Sequence, residues 1–395
     1  MDNNRTTSVL CTNGILSKTL AAVRSLGSHG IRTVASEKNR FHPSGFSKHC
    51  ARSLISPNPR KNPDLYLEWL VETIHRENCN VLFAMDDDTM DIAVNHRKEL
   101  ESICRVPVPS KESYIIAADK GKTIQLAQKA NVPCPLTLEF DFQNGVNKAN
   151  LFLRTFHMQY PLVIKPRHSS GSRGIRFVHN REQLLQTVKS IHLVYPNPII
   201  QEYIPPGDKY DVCLCYDANH QLKASFIQKQ IRNYPIGKGP SSVHESVKSS
   251  ELLGYAVKLM ENIPWYGVAD IEFMIDPRDG QPKLMEINPR FWSSVHLSVR
   301  CGVDFPWILY QLALGNDIDP ISDYVVGKRG RSLLPGDVLH FLSNPDRMQM
   351  DPKFWNTKIP DDIISWEDPL PTVGFLLYAL RYGFNLNTWK FLIRR

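Results

Sequence analysis

No arrangement of cysteines in this sequence could hold a metal or staple a secreted fold. The eight cysteines lie singly apart from Cys213 and Cys215 in one strand-like run, which points to reduced thiols in a cytosolic compartment. No run of about 18 apolar residues is present to cross a membrane, and the opening residues MDNNRTTSVLCTNG lack the apolar core of a signal peptide. The net charge of +7 is gathered into no basic block longer than a few residues. A nucleic-acid module would cluster basic and aromatic residues on one motif, so no nucleic-acid partner is expected. Dispersed positive charge suits a small polyanion such as a nucleotide.

Familiar catalytic and nucleotide fingerprints are missing too. The first turn, CTNGILSK, has no GxGxxG pattern, so dinucleotide binding at the N-terminus is not supported. Gly121-Lys122-Thr123 looks like the end of a P-loop, but Ile116 stands where that motif requires glycine, and no strand leads directly into it. No Ser/His/Asp or Cys/His arrangement supplies a protein nucleophile.

What is present is a chain of 395 residues, long enough for two or three domains. Its organising stretch is residues 264–292, PWYGVADIEFMIDPRDGQPKLMEINPRFW, where apolar and polar residues alternate on either side of Pro277-Arg278-Asp279-Gly280. This predicts a hairpin. With the turn centred near Asp279, Asp270 faces Asn288 and Glu272 faces Glu286, and these four leave one face together with Arg290. Ile271, Phe273, Ile275, Met285 and Ile287 leave the other face, toward a core. Carboxylates directly across a ladder repel, so Glu272 opposite Glu286 calls for a cation, and Mg²⁺ takes such hard oxygen ligands. The competing reading is the solvated face of an edge hairpin.

The remaining segments fall into order around this hairpin. TSVLC, the helix-like SKTLAAVRSLGSHG stopped by Gly30, and IRTVAS open a βαβ unit, so a parallel sheet is expected near the N-terminus. A further helix, PDLYLEWLVETIHRENC, leads to the strand NVLFAM, whose end carries Asp86-Asp87-Asp88. Those acids can line a ligand crevice or cap the next helix. Beyond a boundary near residues 107–114, a helix begins with Asp119-Lys120. The strands LVIK and IRFV bracket a loop holding Ser169, Ser170, Gly171, Ser172 and Gly174. Small side chains there let backbone N–H groups approach phosphate oxygens, and Lys165 adds a point charge. Glu202, with the main chain of Tyr203 and Ile204, offers groups able to read an adenine edge. The Gly/Pro-containing loop at 228–246 is expected over an acceptor site. There Arg232 can pair with a substrate carboxylate while Lys229 and His244 assist, and Ser293 and Ser294 can line the same pocket.

A lysine-led helix, VIKP with its Ser/Gly loop, QEYI, Arg232 in a polar loop and the hairpin closing in EINPR occur in an order that resembles the ATP-grasp superfamily. The likeness is to the carbamoyl-phosphate-synthetase-like and carboxylate-amine ligase branch, and it covers most of residues 1–315. It implies an α/β pre-ATP-grasp domain with a parallel sheet over residues 1–112. An α+β ATP-grasp fold with antiparallel sheets would follow over 113–318, its glycine-rich loop at 168–174, and then a partly helical extension over 319–395. Carried over by residue, it makes Lys120 and Lys165 phosphate ligands, Ser170, Gly171, Ser172 and Gly174 part of a phosphate-covering loop, and Glu202 through Ile204 the adenine hinge. Glu272, Glu286 and Asn288 become ligands of Mg²⁺, with Mn²⁺ as an alternative, and Arg290 stabilises the transferring phosphoryl group. One departure is Lys209, at a position where many relatives bind ribose through glutamate; Asp208 or Asp211 is the available substitute.

The implied activity is ATP-dependent ligation of a small-molecule carboxylate to an amine through an acyl phosphate, releasing ADP and phosphate. The alternatives are a regulatory ATP-binding protein of the same fold or an ATP-dependent phosphotransferase. No MKM-type segment speaks for biotin carboxylation. The stretch PLPTVGFLLYALRYGFNLNTWKFLIRR at the end of the chain reads as a helix docked on the catalytic domain or lying on a membrane surface. A homodimer is left open.

Overall fold

The computed structural model describes residues 7–139, 155, 157–169, 171, 173–237 and 239–383. Ser170 and Ser172 of the glycine-rich loop lie outside the described residues, as does the chain from 384 onward.

Strands β1 (Ser8–Cys11), β2 (Arg32–Glu37), β3 (Cys50–Ile55) and β4 (Val81–Phe83) form a parallel sheet in the order β3-β2-β1-β4. Helices α1 (Ser17–Ser28), α2 (Pro43–Phe46), α3 (Pro63–Arg76), α4 (Asp87–Asn95) and α5 (Arg97–Glu101) accompany it. This is the expected parallel N-terminal sheet, with β3 and α2 as additions that the sequence patterns did not reveal. The strand order reverses between β1 and β4, and their carboxyl ends open toward the rest of the chain. In open parallel sheets such a switch point is where ligands gather.

Two helices, α6 (Lys111–Ala118) and α7 (Lys120–Lys129), lead into a small antiparallel sheet. It comprises β5 (Thr137–Glu139), β6 (Leu162–Lys165), β7 (Arg176–Val178) and β8 (Ile199–Glu202) in the order β5-β8-β6-β7. Helix α8 (Arg181–His192) covers its apolar face, where Leu184, Val188 and Ile191 meet Leu162, Ile164 and Ile200.

The larger sheet is antiparallel, six-stranded and ordered β13-β12-β9-β10-β11-β14. Its strands are β9 (Lys209–Tyr216), β10 (Leu222–Asn233), β11 (Ser241–Val247), β12 (Gly267–Ile275), β13 (Pro282–Asn288) and β14 (Arg329–Arg331). Between them run α9 (Ser250–Met260), α10 (Val295–Arg300) and α11 (Phe305–Ala313); α12 (Val338–Ser343) and α13 (Leu370–Gly383) follow. The segment after residue 318 adds the edge strand β14 to this sheet.

Strand alternation divides the sheet's two faces. Val212, Leu214, Ile271, Phe273, Leu284 and Ile287 pack against Leu252, Ala256 and Leu259 of α9. On the other face, Cys213, Cys215, Phe226 and Val268 join a core with Val9, Cys11, Phe83, Trp292 and Phe305 that welds the sheet to the N-terminal domain. Polar residues further along that second face are left to form the site.

Candidate active site

β12 and β13 pair in the expected register, with Asp270 opposite Asn288 and Glu272 opposite Glu286. The pairing then slips by one residue, so Phe273 faces Leu284 and Met285 is the extra residue of a bulge. A bulge turns a side chain away from its alternating face. Met285 therefore lines the pocket with Met274 instead of joining the core, a correction to the simple alternation.

The row of oxygens continues past the hairpin. Glu272 also faces Asp211 on β9, and Asp211 faces Gln228 on β10, so Glu286, Glu272, Asp211 and Gln228 lie in register across adjacent strands. Gln228 donates to Asp211 at 2.7 Å and Gln230 does so at 2.8 Å. Each residue sits at an even spacing along its own strand, but only the pairing of β9 with β12 makes the row visible.

The acidic row is met by cations from several elements. Lys120, first residue of α7, places Nζ 2.9 Å from Glu286 and donates to the Ser169 carbonyl at 2.8 Å. It is aimed by Asp119, which caps α7 and pairs with Arg167 at 3.0 Å. Lys165 ends β6 inside the pocket, where burial lowers its ammonium to about 8 against the attraction of Glu286. Lys209 stands 3.8 Å from Glu272. Arg290 reaches back to Asn288 Oδ1 at 3.3 Å and pairs with Asp87 of the N-terminal domain at 2.5 Å.

The electrostatics separate the two facing glutamates. Burial and the charges of Glu286 and Asp211 raise Glu272 to about 7, despite Lys209 and Lys165. Burial also opposes ionisation of Glu286, but Lys120, Lys165 and Arg290 outweigh it and hold that carboxylate low. Asp270 is pushed well above the carboxylate range by burial and by Asp211 and Glu272, and its Oδ1 is buried without a partner. Such a cluster attracts a divalent cation. Among the described residues no three His, Cys, Asp or Glu side chains form a complete metal cage. Two carboxylates and the Asn288 amide instead fit an ion that takes its other ligands from water and phosphate, as Mg²⁺ does.

These groups line a cavity of about 620 Å³, a size that accommodates a nucleotide and a small second ligand. One end is walled by Val163, Ile175, Phe177, Tyr203, Ile204 and Met274 between the two antiparallel sheets. Glu202 lies there, but its carboxylate accepts from Leu136 N–H at 2.8 Å and pairs with Arg278 at 3.1 Å. The hinge main chain is thus better placed than that side chain to read a ring edge. Gly171 and Gly174 have φ of +61° and +78°, and a Cβ on Gly174 would come within 2.8 Å of Tyr195. Glycine at 174 lets the loop pack closely on Tyr195, outside the cavity lining, while Ser169 and Gly171 are the loop residues that line it. At the other end lie Ile236, Gly237, Gly239, Pro240 and Ser241, with Trp292, Ser293 and Ser294 opposite.

Several expected residues are elsewhere. Arg232 does not line the cavity: it is buried, binds Asp337 through Nε at 2.8 Å and Nη2 at 2.9 Å, and donates to the Pro352 carbonyl. Buried away from the cavity with its fork on Asp337, this guanidinium is not placed to meet a substrate carboxylate there. His244 is buried against Asp362, 3.9 Å away, and burial lowers it to about 3, so it serves no acceptor pocket. Lys229 pairs with Asp208 at 2.6 Å, which also ties up the proposed ribose substitute. The 228–246 stretch is mostly the β10–β11 hairpin, and it reaches the cavity through Gln230 and the residues of its tip.

The segment after the hairpin is fastened from behind by the N-terminal domain. Lys18 Nζ donates to the Phe291 carbonyl at 2.8 Å, and Ser17 Oγ donates to the Ser293 carbonyl at 2.9 Å. Burial and the nearby Arg290 lower Lys18 to about 7. Asp86 completes a capping box with Thr89 at the start of α4, while its neighbour Asp87 reaches Arg290. Of the two roles open to this acidic run, Asp86 takes the capping one, while Asp87 does not line the cavity and touches it through Arg290. The sequence flags the acids; nothing in it singles out Lys18.

Comparison with known proteins agrees with this geometry. Residues 117–294 match the family model of an ATP-grasp domain. Over 230 residues the chain is 23% identical to the arginine-specific large chain of carbamoyl phosphate synthase from Geobacillus stearothermophilus, covering 56% of this chain and 21% of that one. It is 23% identical to D-aspartate ligase from Enterococcus faecium, covering 53% of each. A biotin carboxylase from Campylobacter jejuni superposes with a TM-score of 0.68 at 16% identity, over 82% of this chain and 74% of that one. The chain thus spans about a fifth of the first relative and about half of the second.

Proposed function

We propose that this chain, which carries an ATP-grasp domain, is an ATP-dependent ligase that joins a carboxylate to an amine with release of ADP and phosphate. The observation that carries the reading is the Glu286–Glu272–Asp211 row met by Lys120, Lys165, Lys209 and Arg290 in one cavity. Phosphoryl transfer needs positioning and charge neutralisation more than a protein nucleophile, and the site offers the former.

ATP would enter with its base against Phe177, Tyr203 and Met274 and its phosphates toward Lys120 and Lys165. Glu272, Glu286 and Asn288 would hold Mg²⁺, which would supply neutralisation of phosphate charge there. A carboxylate oxygen of the substrate attacks the γ-phosphorus, the bond to the β-bridging oxygen breaks, and ADP leaves. Arg290, kept extended by Asp87, faces the charge that develops on the transferred group. The neutral amine then attacks the acyl carbon, loses a proton and expels phosphate. The relative named D-aspartate ligase puts amino acids first among trial substrates.

The test is release of ADP and phosphate from Mg-ATP by the purified protein against amino acids and small carboxylates crossed with amines, with Glu286→Ala as control. Turnover requiring both an acid and an amine, and absent from the control, supports the ligase. Turnover with an acceptor alone, giving a stable phosphorylated product, would make it a phosphotransferase. Tight ATP binding without turnover would favour a regulatory protein.

A further inference from the structure

The helix near the end of the described chain carries apolar surface for which the site has no use. Pro371 and Gly374 of α13 face inward, and a Cβ on Gly374 would lie 2.8 Å from the Phe46 ring, so α13 rests closely on α2. That contact leaves a second stripe uncovered. Leu370, Val373, Leu376 and Leu380 are 45–59% exposed, and Trp366 just before the helix is 98% exposed. Spacings of three, three and four residues put the four aliphatic side chains on one side of an α-helix.

The charge around the stripe has one dominant sign. Arg40 and Lys48 flank α2 and are exposed, with no acidic residue between positions 38 and 48, whereas Lys38 pairs with Glu37 at 4.0 Å. Arg40 lies over the Phe41 ring at 4.8 Å. Arg381 is exposed in the last turn of α13. Of the acids at positions 361–368, Asp361 and Asp362 are buried and Asp368 is buried and paired with Arg24 at 3.0 Å, which leaves Glu367 exposed. The final residues 384–395 contribute Lys390, Arg394 and Arg395 to the composition and no acid.

We propose that the α13 stripe with Trp366 is a docking surface for an anionic membrane, the apolar side chains entering the interface while Arg40, Lys48 and Arg381 meet the headgroups. Apolar residues with a tryptophan and a cationic border match that medium, where buried apolar area and attraction to anionic lipid act together. A second copy of the chain fits less well. A twofold contact on this face would bring the same cations of both copies together. Fourteen residues of helix span only about 21 Å, a narrow strip beside the roughly 800 Å² per partner of a standard interface. Among the described residues no helix is long and apolar enough to cross a membrane, so the association is with the surface.

The experiment is co-sedimentation of the full chain with vesicles of phosphatidylglycerol and phosphatidylcholine in equal parts, and with phosphatidylcholine alone. Binding is expected to the anionic vesicles only and to weaken with salt. The double substitution Leu376→Glu with Leu380→Glu should weaken it at least about tenfold, since it replaces buried apolar area by like-charge repulsion. Unfolding midpoint and ATP affinity should be preserved, because both leucines are already exposed. Arg40→Ala with Lys48→Ala provides an independent arm, at about fivefold for each cation lost. Failure of the parent protein to sediment with anionic vesicles, or equal binding by both variants, would overturn the proposal. So would a dimer that the glutamate pair splits in the absence of vesicle binding.

Discussion

Replacing Glu272 by glutamine should stabilise the metal-free protein while disabling its site. Glu272 is raised from 4.5 to about 7 by burial and by the facing charges of Glu286 and Asp211. A folded-state value above the unfolded one means that the native state binds more protons between those limits. The parent's stability therefore falls as pH rises from about 4.5 through about 7 and levels off above. The interval corresponds to at most ~3 kcal/mol at pH 8. Glutamine keeps the shape but cannot ionise, and it gives up the pairing with Lys209 at 3.8 Å. A net gain of about 1–2 kcal/mol is expected at pH 8, shrinking toward zero by about pH 5, where Glu272 in the parent is itself protonated. Urea unfolding with a chelator present, across that pH range, measures this directly. Adding Mg-ATP should reverse the ranking, because ligand stabilisation grows with affinity for the native state and the variant has lost a ligand. A variant no more stable than its parent at pH 8, or a gap that does not close in acid, would refute the repulsive row.

Other substitutions separate roles that share a neighbourhood. Arg232→Ala should cost about 3–5 kcal/mol in unfolding, because it strands the buried Asp337 carboxylate, yet leave turnover per folded molecule unchanged; lost turnover at unchanged stability would return Arg232 to the substrate. Asp87→Asn should lower kcat by up to about 100-fold with KM for ATP unchanged, since it loosens Arg290 without touching the nucleotide end; a raised KM at constant kcat would assign the pair to ATP binding. Lys165 is charged below about 8 and neutral above it, so ATP affinity should weaken between pH 7 and 9, and Lys165→Arg should flatten that dependence. A flat profile in the parent protein would remove Lys165 from the phosphates.

Local alternation within the chain by itself determined the hairpin from Gly267 to Asn288, its facing pairs and the parallel opening sheet. Strand periodicity and turn residues act over a few positions, and they leave a trace that can be read without neighbours. Lys165 was legible for a similar reason, because it ends the apolar run LVIK beside the Ser/Gly loop; Lys120 was singled out only by the resemblance to the ATP-grasp superfamily. Tertiary structure alone decided which charges meet. Arg232 finds Asp337 across 105 positions, and Arg290 finds Asp87 across 203. No local period encodes such partners, so a guanidinium in a polar loop looks the same whether it will hold a substrate or a buried aspartate. Met285 illustrates the limit at its smallest scale, because one unpaired residue in β13 moved it from core to pocket. The row from Glu286 to Gln228 came into being when β9 and β10 docked beside β12. Sheet pairing turns separate alternations into one surface, and burial of that surface raises Glu272, while burial in the same cavity lowers Lys165 on β6 to about 8.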